Sequence, residues 1–175
     1  SFTTPWVKTV SVARKNGSSE IDYLLIDRSR TLTWLCEIGA IEIHPFLHRA
    51  SNLDRPTHIV FDLDPGQGTS LVDCCEVALL LRDLLLGSGL ECMAKVSGGK
   101  GLQLLVPLNT AATHEQSESF ARRVAEDLAR RNARKITAKM SRSLRVGRVF
   151  IDWSQNAGYK TTIAVYSLRG GNGGP

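Results

Sequence analysis

The sequence predicts an α+β fold: a mixed or antiparallel β-sheet core with flanking helices, in a single domain over residues 1–170. Three observations predict it. Segments rich in β-branched and aromatic residues come as closely spaced pairs, as hairpins require. Two long stretches with helical apolar spacing stand among those pairs. The order of the two kinds of segment is irregular, unlike the repeating strand-helix alternation of a doubly wound parallel sheet. A chain of 175 residues is long enough for one substantial core, and no internal repeat or interdomain linker interrupts it.

Residues 6–13 (WVKTVSVA) and 21–26 (IDYLLI) read as strands joined by the polar turn RKNGSS, a hairpin. Residues 29–39 read as a helix with Leu32, Leu35 and Cys36 on one stripe, followed by a short strand at IEIH, residues 41–44. The run HIVFDLD, residues 58–64, is a strand that Pro65-Gly66 breaks. From Ser70 to Leu86 the spacing of Leu71, Cys75, Ala78, Leu79, Arg82 and Leu85 is helical; Gly87 and Gly89 end it, as glycine just past a helix commonly does. Strands at 91–96 and 102–106 bracket SGGKG, and a polar helix spans 115–131 with Phe120, Val124 and Leu128 inward. Strands at 148–153 and 161–165 follow, and residues 171–175 read as a flexible tail.

Composition narrows the function by exclusion. The 42% hydrophobic and 22% charged content is ordinary for a globular protein, which sets disorder aside. The net charge of +5 is compatible with a polyanionic partner. Cys36, Cys74, Cys75 and Cys92 form no CxxC pair and no zinc-site spacing, and read as reduced, mostly buried thiols of a cytoplasmic protein. No apolar run reaches the roughly 18 to 20 residues needed to cross a bilayer, and no signal sequence is expected ahead of the first strand.

Three polar clusters stand out from this apolar scaffold. In a strand, alternate residues share a face, so Asp62 and Asp64 are neighbours roughly 7 Å apart. Two ionised carboxylates there repel, unless a cation sits between them or one is protonated. A hard divalent ion such as Mg²⁺ or Mn²⁺ suits an all-oxygen site; a solvated strand face ending in an acidic turn is the plainer reading, and this stretch leaves both open. The second cluster is SGGKGLQL, residues 97–104. Its glycines let backbone N–H groups approach an anion, and Ser97 and Lys100 add a hydroxyl donor and a point charge, a combination suited to a triphosphate. An ordinary glycine-rich hairpin is the alternative, and a Walker A loop is absent. The third is VFIDWSQN, residues 149–156, where alternation puts Asp152 opposite Val149, Ile151 and Trp153. A third strand-borne carboxylate is what a two-metal site needs, with capping or a salt bridge as the alternative role.

In order and spacing, FDLDPG, SGGKGL, SLRVGRVFIDWSQN and KTTIAVYSLRG resemble the polymerase domain of bacterial ATP-dependent DNA ligase D, a branch of the archaeo-eukaryotic primase superfamily. The resemblance runs from about Pro5 to Gly170. It implies a primase-polymerase-like core and a nucleotidyltransferase that adds ribo- or deoxynucleotides to a primer 3′-hydroxyl, filling gaps during non-homologous end joining of double-strand breaks. By that resemblance Asp62, Asp64 and Asp152 are catalytic and ligate Mn²⁺ or Mg²⁺ in a two-metal site. His44 of IEIHP, Ser97, Lys100, Gly101, Gln103, Gln155 and Arg169 bind the nucleotide, and Arg145 and Lys160 bind nucleic acid. For His44 taken alone, a hydrogen-bonded histidine at a strand end is the plainer reading. The implied partners are a DNA primer-template or gapped and broken ends, NTP or dNTP, an ATP-dependent DNA ligase and a Ku-like end-binding protein, in the cytoplasm at the nucleoid.

The chain departs from the family pattern in two places. The family's second motif reads SGSKGLHL, and Gln103 stands at the histidine, able to donate to phosphate but never cationic. The chain is also expected to start after the N-terminal segment that helps the family bind a recessed 5′-phosphate and the template. Two other functions compete. IVFDLD also fits the nucleophile strand of a haloacid-dehalogenase-like phosphohydrolase, with Asp62 attacking phosphorus and Asp64 as acid/base; that pattern wants Gly-Thr after the second aspartate and a late acidic pair, against Pro65-Gly66 here. The other is a catalytically inactive nucleotide- or nucleic-acid-binding module of the same fold, against which the three aspartates argue.

Overall fold

The computed structural model describes residues 4–14 and 19–170; the centre of the RKNGSS turn and the 171–175 tail lie outside the described residues. The first hairpin pairs β1 (Thr9–Ala13) with β2 (Glu20–Leu24), and helix α1 (Ser29–Glu37) follows. A second, short hairpin joins β3 (His48–Arg49) to β4 (Asn52–Pro56). Then come β5 (His58–Pro65), α2 (Leu71–Gly87), β6 (Met93–Val96), β7 (Leu102–Pro107), α3 (His114–Arg131), β8 (Ile136–Thr137) and β9 (Val149–Asp152). One 3-10 turn, Arg142–Arg145, precedes β9 and another, Trp153–Asn156, follows it. The main sheet has the order β6-β7-β5-β9-β8, antiparallel except for the parallel β8–β9 pair, so the fold is α+β with a mixed sheet, as the sequence predicts.

β5 lies at the centre of this sheet because nearly every residue of HIVFDLD can be buried on one side or held by a partner strand on the other. Ile59, Phe61 and Leu63 point into the main core, where Cys74, Val77, Leu81 and Leu85 of α2 and Ala121, Ala125 and Leu128 of α3 meet them. Both helices therefore cover the same face. Each starts at a capping box, Ser70 with Asp73 and Thr113 with Gln116, which satisfies backbone donors that have no partner in the first turn. α2 stops where Gly89 adopts φ +74 and the Leu90 N–H turns back to the Leu85 carbonyl.

Several sequence expectations need correction. In α2, Leu71, Cys75 and Leu79 are exposed, and the buried stripe is Cys74, Val77, Ala78, Leu81 and Leu85. The helix is apolar on nearly every side, so its pattern leaves the rotation about its axis open. In α1, Thr31, Trp34 and Leu35 are buried, with Val7 and Trp6 packed against the last two, while Leu32 and Cys36 face outward. Cys74 alone of the four cysteines is buried. IEIH is not a strand: residues 43–46 run alongside 161–164 through an isolated Phe46–Thr161 bridge and bonds from the Thr162 and Ala164 N–H groups to the Pro45 and Ile43 carbonyls. Pro45 has no N–H to give back, which keeps this pairing from becoming a regular ladder and leaves 161–165 irregular too.

Candidate active site

Strand register assembles the carboxylates. Asp62 on β5 faces Gln103 of β7 on one side and Asp152 of β9 on the other, and Gln103 faces Lys95 of β6. Lys95, Gln103, Asp62 and Asp152 thus form a row across four strands, on the face away from the helices. Asp64, two residues along β5, lies opposite Phe150 on that same face. Gly101 closes against this end of β5: a Cβ there would sit 2.4 Å from the Leu63 carbonyl oxygen and 3.3 Å from Asp64 Oδ1. Only glycine lets the turn come so near.

The row is short of positive charge. Burial, then the neighbouring Asp64 and Asp152 carboxylates, push the Asp62 carboxyl up to about 6, against a hydrogen bond from Gln103 and the more distant Lys95 ammonium. Burial and Asp152 raise Asp64 as well, opposed by Arg145 and Arg169. Burial lowers the Lys95 ammonium, whose Nζ donates to the Ile163 carbonyl. Asp152 is held from below: its Oδ1 accepts from Ser154 N at 2.9 Å and Ser154 Oγ at 2.6 Å, and Lys160 Nζ stands 3.9 Å from its Oδ2.

Two residues that the sequence reading did not single out fix this geometry. Asn156 is fully buried; its Oδ1 accepts from Val60 N, and its Nδ2 donates to the Val60 and Trp153 carbonyls, each at 2.8 Å. It pins the turn after Asp152 to the strand that carries Asp62. Thr162 Oγ1 donates to Gln103 Oε1 at 3.0 Å. With its oxygen so engaged, Gln103 turns its amide N–H groups toward Asp62, and the side chain is buried beneath the row instead of lying open to a nucleotide.

The glycine turn is braced from the C-terminal segment. Ser97 N and Oγ both donate to the Gly101 carbonyl, at 3.1 and 3.0 Å, while Arg169 Nη1 donates to the Ser97 carbonyl at 3.2 Å. Gly98 adopts φ +75, and Lys100 is exposed at the tip. His44 joins this group through Glu42, whose Oε1 lies 3.1 Å from His44 Nε2 and 3.4 Å from Arg169 Nε. The His44 hydrogen bond and then the Gly170 N–H hold the Glu42 carboxyl below the ordinary carboxylate range. Arg145 approaches from the other side, its guanidinium 3.6 Å above the Phe150 ring and its buried Nε without a hydrogen-bond partner among the described residues. Lys160 turns to Ser154 and Asp152, and Gln155 is half-buried on the 3-10 turn. Glu42, Lys95, Ser154, Asn156 and Thr162 are thus the additions to the expected set; all but Lys95 lie inside the stretches IEIHP, VFIDWSQN and KTTIAVYSLRG.

Among the described residues, no three His, Cys, Asp or Glu side chains gather closely enough to form a metal cage. The Asp62, Asp64 and Asp152 carboxylates nevertheless suit a hard divalent ion: all oxygen, partly buried and under-compensated in charge.

A family model described as "LigD, primase-polymerase domain" matches residues 1–175. The chain belongs to this family. It is 40% identical over 174 residues to the multifunctional non-homologous end joining DNA repair protein LigD of Mycobacterium tuberculosis, covering 95% of this chain and 23% of that protein. The LigD of Mycolicibacterium smegmatis is 41% identical over 167 residues (94% and 22%), and the bifunctional LigD of Bacillus subtilis 34% over 157 (89% and 25%). The chain therefore spans about a quarter of the length of these curated relatives. A solved structure, the polymerase domain from Mycobacterium tuberculosis ligase D in complex with DNA, matches with TM-score 0.88 and 40% identity over 97% of this chain and 61% of that one. The family assignment sets the phosphohydrolase reading aside.

Proposed function

We propose that this LigD-type primase-polymerase domain is a metal-dependent nucleotidyltransferase that adds ribo- or deoxynucleotides to a primer 3′-hydroxyl and fills gaps at broken DNA ends. The observation that carries the proposal is the convergence of Asp62, Asp64 and Asp152 on one sheet face beside a glycine turn braced by Arg169. The three aspartates would hold one or two Mn²⁺ or Mg²⁺ ions, which when bound supply charge neutralisation at the triphosphate and activation of the attacking hydroxyl. Ser97, the N–H groups around Gly98 and Gly101, Lys100, Arg169 and His44 take the triphosphate, and His44 and Arg169 exchange Glu42 for phosphate oxygens as it enters. Gln103 and Ser154 act as positioning residues for Asp62 and Asp152. Gln155 contacts the nucleotide, and Arg145 with Lys160 steadies the primer-template. In-line displacement of pyrophosphate then depends chiefly on positioning and on neutralising developing charge.

The relatives are described as multifunctional end-joining proteins, which supports an ATP-dependent DNA ligase and a Ku-like end-binding protein as working partners, at the nucleoid in the cytoplasm. Primer extension on a gapped duplex with Mn²⁺, with NTP and dNTP supplied separately, tests the function. Wild type is expected to extend, and Asp62→Ala to lose on the order of 10³-fold in rate. Failure of the wild type to extend, with Mn²⁺-dependent nucleotide binding intact, would instead make the chain a binding module.

A further inference from the structure

The net charge of the chain is unevenly placed. Residues 122–148 hold ten of the 22 Lys and Arg but two of the 17 Asp and Glu, a net +8 that leaves −3 on the remainder. This segment folds as the second half of α3, the edge strand β8 and the Arg142–Arg145 turn. Between α3 and β8 it leaves a cleft of about 560 Å³, rimmed by Arg123, Arg130, Lys139 and Arg148. The two acids that also line the cleft are already engaged, Glu126 with Arg122 at 2.9 Å and Asp127 with Arg130 and Arg131. Among the described residues no carboxylate is ion-paired with Arg123, Lys139 or Arg148. Three uncompensated cations around one concavity repel one another, and an anion that spans them relieves that repulsion. Two of them are arginines, whose planar forks match phosphate oxygens.

The cleft opens at the β8 edge on the α3 side of the sheet, and the Arg142–Arg145 turn and Arg148 connect that edge with the carboxylate face. Arg148 follows Arg145 by three residues, and the carbonyls of both pack so tightly on Gly66 that a Cβ there would lie 1.8 and 2.5 Å away. The turn is thereby fixed to the end of β5, with Arg145 over Phe150 near Asp64 at one end and Arg148 in the cleft at the other. We propose that the α3–β8 cleft binds the sugar-phosphate backbone of a nucleic acid, along a basic ridge that begins at the carboxylate face and leads away from it. Backbone binding of this kind needs no metal and no chemistry.

The test is fluorescence anisotropy of a labelled gapped duplex in EDTA, over a series of salt concentrations. For R123A/K139A, the slope of log K against log salt is expected to fall by about 2 relative to wild type, with affinity near 100 mM salt lowered roughly 10-fold or more. R123Q/K139Q, which keeps part of each apolar stem, is expected to give the same loss, excluding a packing effect. R49A/R55A removes equal charge from the exposed β3–β4 hairpin and is expected to change neither quantity. Equal losses in the hairpin variant would reduce the effect to net charge, and an unchanged slope in R123A/K139A would leave the cleft to an acidic protein; either overturns the proposal. Asp62→Ala is expected to bind with the wild-type slope, so a failure of the catalytic reading stays distinguishable from a failure of this one.

Discussion

On one face of β5, Ile59, Phe61 and Leu63 are almost sealed from solvent against α2 and α3, whereas on the other Asp62 and Asp64 stand partly buried beside Asp152 with too little positive charge to balance them. The same eight residues thus hold apolar burial that stabilises the fold and a set of like charges that opposes it. A single strand can do both because its side chains alternate with a period of two. Stability and the proposed chemistry of this chain are thus separable by substitution, even between adjacent residues.

The two faces of β5 should therefore respond to substitution in opposite directions. The largest effect is expected for Phe61→Ala, which empties a fully buried ring position and should cost about 3 to 5 kcal/mol in denaturant unfolding. Asn156→Ala should cost about 2 to 3 kcal/mol, because the Val60 N–H and two carbonyls lose their partner in a buried site. Its extension rate per folded molecule should fall as well, since the turn after Asp152 is no longer pinned to β5.

Asp62→Asn should move stability the other way. The Asp62 carboxyl is raised from 3.8 to about 6, so the folded chain keeps a proton that the unfolded chain releases. Stability therefore falls as pH rises through that window, and the cost is fully present above it. In EDTA, the Asn variant should be more stable than wild type by about 1 to 2 kcal/mol at pH 7.5, with the advantage shrinking toward nothing near pH 4. Thermal melts at the two pH values check the sign. The smallest effect is expected for Arg122→Ala on the exposed surface of α3. There the ion pair with Glu126 and the guanidinium 5.0 Å from the Trp153 ring should together contribute about 0.5 kcal/mol.

What could be read from the sequence followed the regularity of the backbone. The alternation of HIVFDLD put Asp62 beside Asp64, and that of VFIDWSQN put Asp152 opposite Val149 and Ile151, because a strand's period fixes side-chain direction within the strand; that all three share one face rests on the β5–β9 pairing. Ser97 and Gly101 were legible as a turn because glycine marks close approach, and at Gly101 the group so approached is the Leu63 carbonyl. The rotation of α2 was not legible, since Leu79 and Leu81 are equally apolar and only tertiary packing chooses between them. Nor were Asn156, Thr162 and Glu42. Each acts across 59 or more residues of chain, on Val60, Gln103 and Arg169, and no local pattern records such a contact. The placement of Gln103 beneath Asp62 likewise needed the Thr162 hydroxyl to be located.

On the reading proposed above, Asp62, Asp64 and Asp152 share a face in order to hold a divalent cation. Calorimetric titration of Mn²⁺ into wild type and into Asp62→Asn, each shown to be folded by circular dichroism, tests it most directly. Saturable, EDTA-reversible binding is expected in wild type and its loss in Asp62→Asn. Equal binding in the two proteins, or no binding to a folded wild type, would contradict it.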